Sequence, residues 1–229
     1  MRASRVSKPA LWATLALGYV LAVHGIDTLV TRRSHWLIDW GGLQWYWAGS
    51  FDAYKFVAWL IVPLALCARR LDVSYFSFTR WKRPEWAVLG VAVLGGILLM
   101  AALPNIPGVG DYYHGWGHLS PHDRRAQALG SLLWTLSWLP GWEFIHRYFL
   151  LRPLRAASNR AGIVLVLIVI PIVEGGYHIF QQKPALECAG MAALSALMCG
   201  YVLARRNVLL PFLVHFIIEV ELVAYLYVN

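Results

Sequence analysis

Long, nearly uncharged stretches recur at residues 9–30, 51–68, 86–103, 128–151, 163–180, 185–204 and 208–227, and nothing else in the sequence restricts the fold as much. A helix needs about 20 apolar residues to cross the roughly 30 Å of hydrocarbon in a bilayer. Within that hydrocarbon every backbone N–H and C=O must find a partner, which an α-helix supplies from its own segment. The sequence therefore predicts an all-α, polytopic transmembrane helical bundle of about seven spans, a single membrane domain over residues 1–229. Composition agrees. Of 229 residues, 59% are hydrophobic and 14% charged, too few polar groups to cover a soluble domain of this length.

The charges that remain are unevenly placed. Arg2, Arg5 and Lys8 precede the first run, which lacks a small-x-small cleavage site and reads as an uncleaved first helix. Lys and Arg gather again at residues 69–83, 152–160 and 205–206, so an N-in, C-out arrangement puts the densest basic loops in the cytoplasm. The net charge of +8 belongs to these loops and is weak evidence for nucleic acid, which is not expected as a partner. Residues 35–50 hold Trp36, Trp40, Trp45, Tyr46 and Trp47 around Gly41-Gly42 and read as an interfacial or re-entrant segment. Pro140-Gly141 predicts a bend in the fourth span. Cys67, Cys188 and Cys199 lie in apolar runs without metal-ligand spacing and read as small packed hydrophobes. Asp111, His114, His118, His122 and Asp123 share the polar connection at 104–127, but Gly115, Gly117 and Pro121 prevent a helix from aligning the imidazoles. A solvated loop is the reading there, not a metal site.

Three runs carry charge where hydrocarbon belongs. Glu143 and Arg147, Glu174 and His178, and His215 and Glu219 are each four residues apart, so each pair shares one helix face. An unpaired charge at bilayer depth costs roughly 2.5 to 3.5 kcal/mol on insertion scales, so such groups turn towards a bundle interior and carry function. Three pairs on three spans are expected to converge on one polar centre. Depth resists this. At about 1.5 Å per residue, Glu143 lies roughly 13 Å from Arg152 and His215 roughly 12 Å from Asn207, but His178 lies roughly 27 Å from Arg160. The fifth span must then start below the surface, tilt or break. His24, His35 and His146 read as interfacial or packed histidines, and Arg147 by itself could be a residue snorkelling from a helix end.

Residues 131–220 resemble the CPBP family of intramembrane proteases, the group that includes the CAAX prenyl endopeptidases and bacterial self-immunity and sorting proteases. The family pattern is Glu-Glu-x-x-x-Arg, then Phe-x-x-x-His, then His-x-x-x-Asn. Here Trp142-Glu143-Phe144-Ile145-His146-Arg147 is similar to the first with Trp142 for the leading Glu. Glu174-Gly175-Gly176-Tyr177-His178 is similar to the second with Glu174 for Phe, and His215-Phe216-Ile217-Ile218-Glu219 to the third with Glu219 for Asn. Trp142 and Glu174 read as a swap across a helix interface that moves a carboxylate from the fourth span to the fifth. Residues 127–229 then form the family-like catalytic core, and residues 1–126 supply N-terminal helices and loops without a family signal.

The resemblance implies an intramembrane endopeptidase that hydrolyses a peptide bond of a membrane-anchored protein, such as a prenylated tail or C-terminal sorting segment. It places the protein in the cell membrane as a multi-pass component, in a bacterium the inner membrane, with the lipid bilayer as surroundings. His178 would activate water and His215 would bind the oxyanion. Arg147 and Glu143 would support the site, and the water-activating carboxylate would be Glu174 or Glu143 itself. Glu219 could serve as a neutral donor in place of Asn. No cofactor is required on this scheme. The alternative is a divalent metal such as zinc held by His178, His215 and Glu174. A non-catalytic member acting as a membrane scaffold or partner-binding protein is the competing class, with a proton-coupled transporter as a third.

Overall fold

A computed structural model of the chain describes residues 8–33, 51–113, 115–157 and 159–229. In chain order the helices are α1 (Lys8–Arg33), α2 (Ala53–Lys55), a first π-helix (Phe56–Ile61), α3 (Val62–Cys67) and α4 (Arg83–Ala102). Next come α5 (Pro121–Phe144), a second π-helix (Ile145–Leu150), α6 (Leu151–Ala157), α7 (Asn159–Phe180), α8 (Ala185–Arg205) and α9 (Leu209–Val228). Short 3-10 turns punctuate residues 68–80 and 103–105, and no strand occurs among the described residues. The helical bundle predicted from the sequence is present.

Local chemistry sets the ends. Ser120 caps α5 by accepting from the Asp123 N–H, and Pro121 occupies the first turn, where a missing N–H costs nothing. Glu85 caps α4 by accepting from the Lys82 N–H at 2.9 Å. The α8 helix stops at Arg206, which enters the left-handed region at φ 52° and donates its N–H to the Val202 carbonyl.

Among the described residues, five helices are long and apolar enough to cross a membrane: Lys8–Leu29, Arg83–Asn105, Ala161–Phe180, Ala185–Arg205 and Leu209–Val228. Their outward faces carry Val91, Leu98, Ile172 and Leu197, all largely exposed, as lipid-facing surfaces are. Two predicted spans differ. Residues 51–68 yield helix only over residues 53–67, roughly 22 Å of rise, because Asp52 caps the start and the basic turn at residue 68 ends it. Residues 128–151 belong to one uninterrupted helical path from Pro121 to Ala157 whose second half is central, every residue from 141 to 151 being buried, while its first half exposes Leu129, Leu133 and Leu136. The segment 35–50 lies outside the described residues.

The main apolar core forms around this path. Ile145, Leu150, Leu151 and Leu154 pack with Ala16 and Val20 of α1, Trp59, Val166 and Ile170 of α7, and Cys199 and Val202 of α8. The α7 and α8 helices form a hairpin in which Gly175 approaches the α8 backbone, a Cβ there falling 3.5 Å from the Cys188 carbonyl oxygen. The α9 helix lies against both α4 and α5.

The depth conflict between the fourth and fifth spans narrows in this geometry. Arg152 does not mark a membrane boundary, because the helix continues through α6 to Ala157 before α7 begins at Asn159. Counted from that turn, Trp142 and His178 lie roughly 24 and 30 Å deep, about one helical turn apart. The second π-helix, with its wider turns, lies between them and the turn on the α5 side.

Candidate active site

Arg147, in the second π-helix, is fully buried and organises two carboxylates. Its guanidinium grips both oxygens of Glu174 on α7, with Nη2 donating to Oε2 at 3.0 Å and Nη1 to Oε1. Its Nε lies 3.6 Å from Glu143 Oε2, one turn back along the same helical path. Nη2 also approaches the Met198 sulfur of α8 at 3.6 Å. The pairing along the helix predicted for Glu143 and Arg147 is therefore present, but the stronger contact runs across to α7.

Glu143 turns its other oxygen to α9. Oε1 accepts from His215 Nδ1 at 2.8 Å, and both residues are buried. His215 Nε2 then faces Glu219 Oε1 at 3.8 Å, beyond hydrogen-bond range. Glu143 Oε2 has no hydrogen-bond partner among the described residues. Polar groups from all three motif stretches thus meet in one place.

Glu174 and His178 do not pair with each other. Arg147 occupies the Glu174 carboxylate, and a buried guanidinium fork is a stronger partner than a neutral imidazole. The suggested exchange between Trp142 and Glu174 is accordingly offset, because Glu174 meets Arg147 and approaches His146 Nδ1 at 3.9 Å, about a turn from Trp142. Glu174 is thus held by Arg147, while Glu143 keeps one oxygen on α9.

His178 is buried against Trp142 at 5.5 Å between ring centroids, and neither ring nitrogen has a hydrogen-bond partner among the described residues. Lys183, His215, His146 and His24 are its electrostatic neighbours. The Trp142 indole also touches Trp59, Tyr177, His24 and His146.

Sequence reasoning missed the part played by α1. His146 Nδ1 donates to the Trp142 carbonyl at 2.9 Å, so in the neutral ring Nε2 is the acceptor. His24 Nε2, 3.0 Å away, must then be the donor, leaving His24 Nδ1 bare and without a partner among the described residues. One turn along α1, Asp27 accepts from the Tyr177 hydroxyl at 2.5 Å. Lys55 approaches Asp27 at 3.7 Å and bonds Asp52 at 2.8 Å while lying over the Trp59 ring. His24 and Asp27 interrupt an apolar run as Glu143 and Glu174 do, which is the signal that could have found them.

A second polar knot lies at the α7–α8 turn. Lys183 Nζ donates to Glu187 at 2.6 Å and to the Tyr113 hydroxyl at 3.2 Å, and Tyr113 donates to Glu187 at 2.8 Å. Burial pulls the Lys183 ammonium down, but Tyr113 and Glu187 outweigh it and hold the group above its ordinary range. His122 and Asp123 lie at the start of α5, 3.6 Å apart, with His118 in the turn before it, while His114 lies outside the described residues.

Of the alternative metal ligands, Glu174 is bound by Arg147 and His215 by Glu143. No three His, Cys, Asp or Glu side chains are grouped to hold an ion among the described residues. Compared with protein-family models, curated proteins and solved structures, the chain matches none.

Proposed function

We propose that the protein is an intramembrane endopeptidase that hydrolyses a peptide bond of a membrane-anchored protein or lipidated tail. The observation that carries this reading is the buried Glu143–His215 contact with Arg147 and Glu219 beside it; His178, whose ring nitrogens have no hydrogen-bond partner among the described residues, packs on Trp142, the residue next to Glu143. Buried polar atoms without a hydrogen bond are costly, so a water or a substrate group is the natural further partner for His178 and for Glu143 Oε2, which Arg147 faces at 3.6 Å.

In the proposed reaction, Glu143 and His178 hold a water and take its proton as the oxygen attacks the scissile carbonyl carbon. His215, oriented by Glu143 through Nδ1 and flanked by a second carboxylate in Glu219, donates from Nε2 to the oxyanion. Collapse breaks the C–N bond, and the proton held by His178 passes to the leaving amine. Arg147 and Glu174 position Glu143. The protein acts as a multi-pass component of the cell membrane, in a bacterium the inner membrane, with its N-terminus in the cytoplasm. One observation favours the non-catalytic class, in which the chain is a membrane scaffold: Trp142 occupies the place of the family's first acid and fills it with an aromatic ring.

The test uses purified protein in proteoliposomes with a fluorogenic library of prenylated and transmembrane peptides. Cleavage by the wild type that falls by about 10²-fold or more in Glu143→Gln, His178→Ala and His215→Ala is the expected result. Cleavage insensitive to these changes, or no cleavage of any peptide, overturns the proposal. Activity that survives chelation supports the metal-free scheme, and loss restored by zinc replaces it with the metal-dependent one.

A further inference from the structure

A cleft of about 240 Å³ opens where the start of α4 faces the end of α8, lined chiefly by Trp81, Lys82, Glu85, Tyr201, Arg205 and Asn207. It adjoins a recess of about 320 Å³ that shares Lys82, Glu85, Tyr201 and Arg205, lacks Trp81 and Asn207, and adds Pro84 and Val88. The α4 helix packs along α9 and α8 along α7, so a groove lies between α4 and α8. Arg205 Nε and Glu85 Oε1 meet at 2.9 Å across its top.

The two recesses differ in chemistry in a consistent direction. Both share the Lys82 ammonium, the Arg205 guanidinium and the Tyr201 hydroxyl; the first adds the polar groups of Trp81 and Asn207, and the second adds the apolar Pro84 and Val88. Lys82 forms no ion pair among the described residues, and only Glu85 offsets the two cations. The second runs one helical turn further along α4 to Val88, which is 44% exposed on a helix apolar enough to cross a membrane. Trp81 and the largely exposed Trp86 mark this level as a membrane interface.

We infer that this groove binds an anionic phospholipid, its phosphate against Lys82 and Arg205 and an acyl chain along Pro84 and Val88. A basic recess between span ends at the bilayer surface suits an acidic headgroup. The apolar recess is what a free phosphate ion would leave unused. The inference stands apart from the peptidase reading, since no residue of the groove belongs to that site.

The test is native mass spectrometry of the delipidated, full-length protein in neutral detergent, incubated with dioleoyl phosphatidylglycerol, dioleoyl phosphatidylcholine or inorganic phosphate. Phosphatidylglycerol should be retained about tenfold better than phosphatidylcholine, given the attraction of roughly two basic groups offset by one acid. Lys82→Glu, an exposed position, should erase that preference. Val88→Trp, which fills the apolar recess, should lower retention of both lipids without restoring selectivity to the Lys82→Glu protein. Unchanged melting of both variants verifies the fold. Equal retention of the two lipids, or a preference untouched by Lys82→Glu, overturns the inference. So does displacement by excess inorganic phosphate, which would mark a site for a small anion.

Discussion

One guanidinium stands between two buried acids, which makes Arg147 the residue whose removal does most harm. Arg147→Met should cost about 3–5 kcal/mol, because it strands Glu143 and Glu174 as uncompensated buried charges. Thermal unfolding in detergent should show this as a large loss, with Arg147→Lys in between because the charge stays but the fork is lost. Glu174→Gln leaves the Glu143–His215 contact in place and should keep measurable peptidase activity, whereas Glu143→Gln should not. Equal loss in both would return the base role to Glu174. His24→Phe keeps a ring between Trp59 and Trp142 but removes the donor to His146, and should cost about 1–3 kcal/mol in the same melt. The residue types at the centre were legible in the sequence, but their partners were only partly so. Spacing of four identifies neighbours along one helix, and here the partners across helices win: Arg147 takes Glu174 from His178, and Glu143 holds His215 more closely than Glu219 does. His24 and His146 are packed residues, as their apolar surroundings suggested, and their mutual bond could not be read from positions 122 apart in sequence.

The element that makes this crossing of helices possible is the path from α5 through the second π-helix into α6. A π-turn widens the helix and rotates the residues beyond it, so Arg147 faces Glu174 while Tyr148, one residue on, reaches the Arg70 carbonyl and accepts from the Asp72 N–H. Pro140 gave a visible warning of irregularity, but the departure from α geometry comes at Ile145–Leu150, a run of buried residues with no glycine or proline to announce it. Gly141 has a different task. A Cβ there would lie 2.8 Å from the Trp59 Cβ and 3.1 Å from the Trp59 backbone carbonyl carbon, so it sets how closely the first π-helix approaches α5. Gly141→Ala should therefore destabilise by about 1–3 kcal/mol through overpacking. Gly190→Ala in α8, where a Cβ meets nothing within 4 Å, should stabilise by roughly 0.5–1 kcal/mol through helix propensity. Paired melting curves of the two variants check the difference in sign.

At the scale of the whole molecule, hydropathy revealed that the chain is a helical membrane bundle, and two of the described runs depart from plain apolar spans. Window averages see apolar content and miss what a cap or a buried partner does. Asp52 shortens the helix after residue 51, and the path through α5 carries charge at Glu143 and Arg147, where residues 141–151 are buried among other helices. The arrangement of sides follows from charge and from the positions of the helices together. Thr79, in the exposed basic turn before α4, and His122, exposed at the start of α5, lie at opposite ends of the long apolar helix that separates them. Gln182, in the α7–α8 turn, belongs to the end where Lys183 meets Tyr113, on the same side as His122. With the basic loops retained in the cytoplasm, cysteines introduced one at a time should divide accordingly. In a Cys67→Ser background, with the buried Cys188 and Cys199 left in place, a membrane-impermeant maleimide added to spheroplasts should label His122→Cys and Gln182→Cys. Thr79→Cys should label only after the membrane is opened. Labelling of Thr79→Cys alone would invert the protein in the bilayer, and simultaneous labelling of Thr79→Cys and His122→Cys in sealed spheroplasts would mean that α4 does not cross at all.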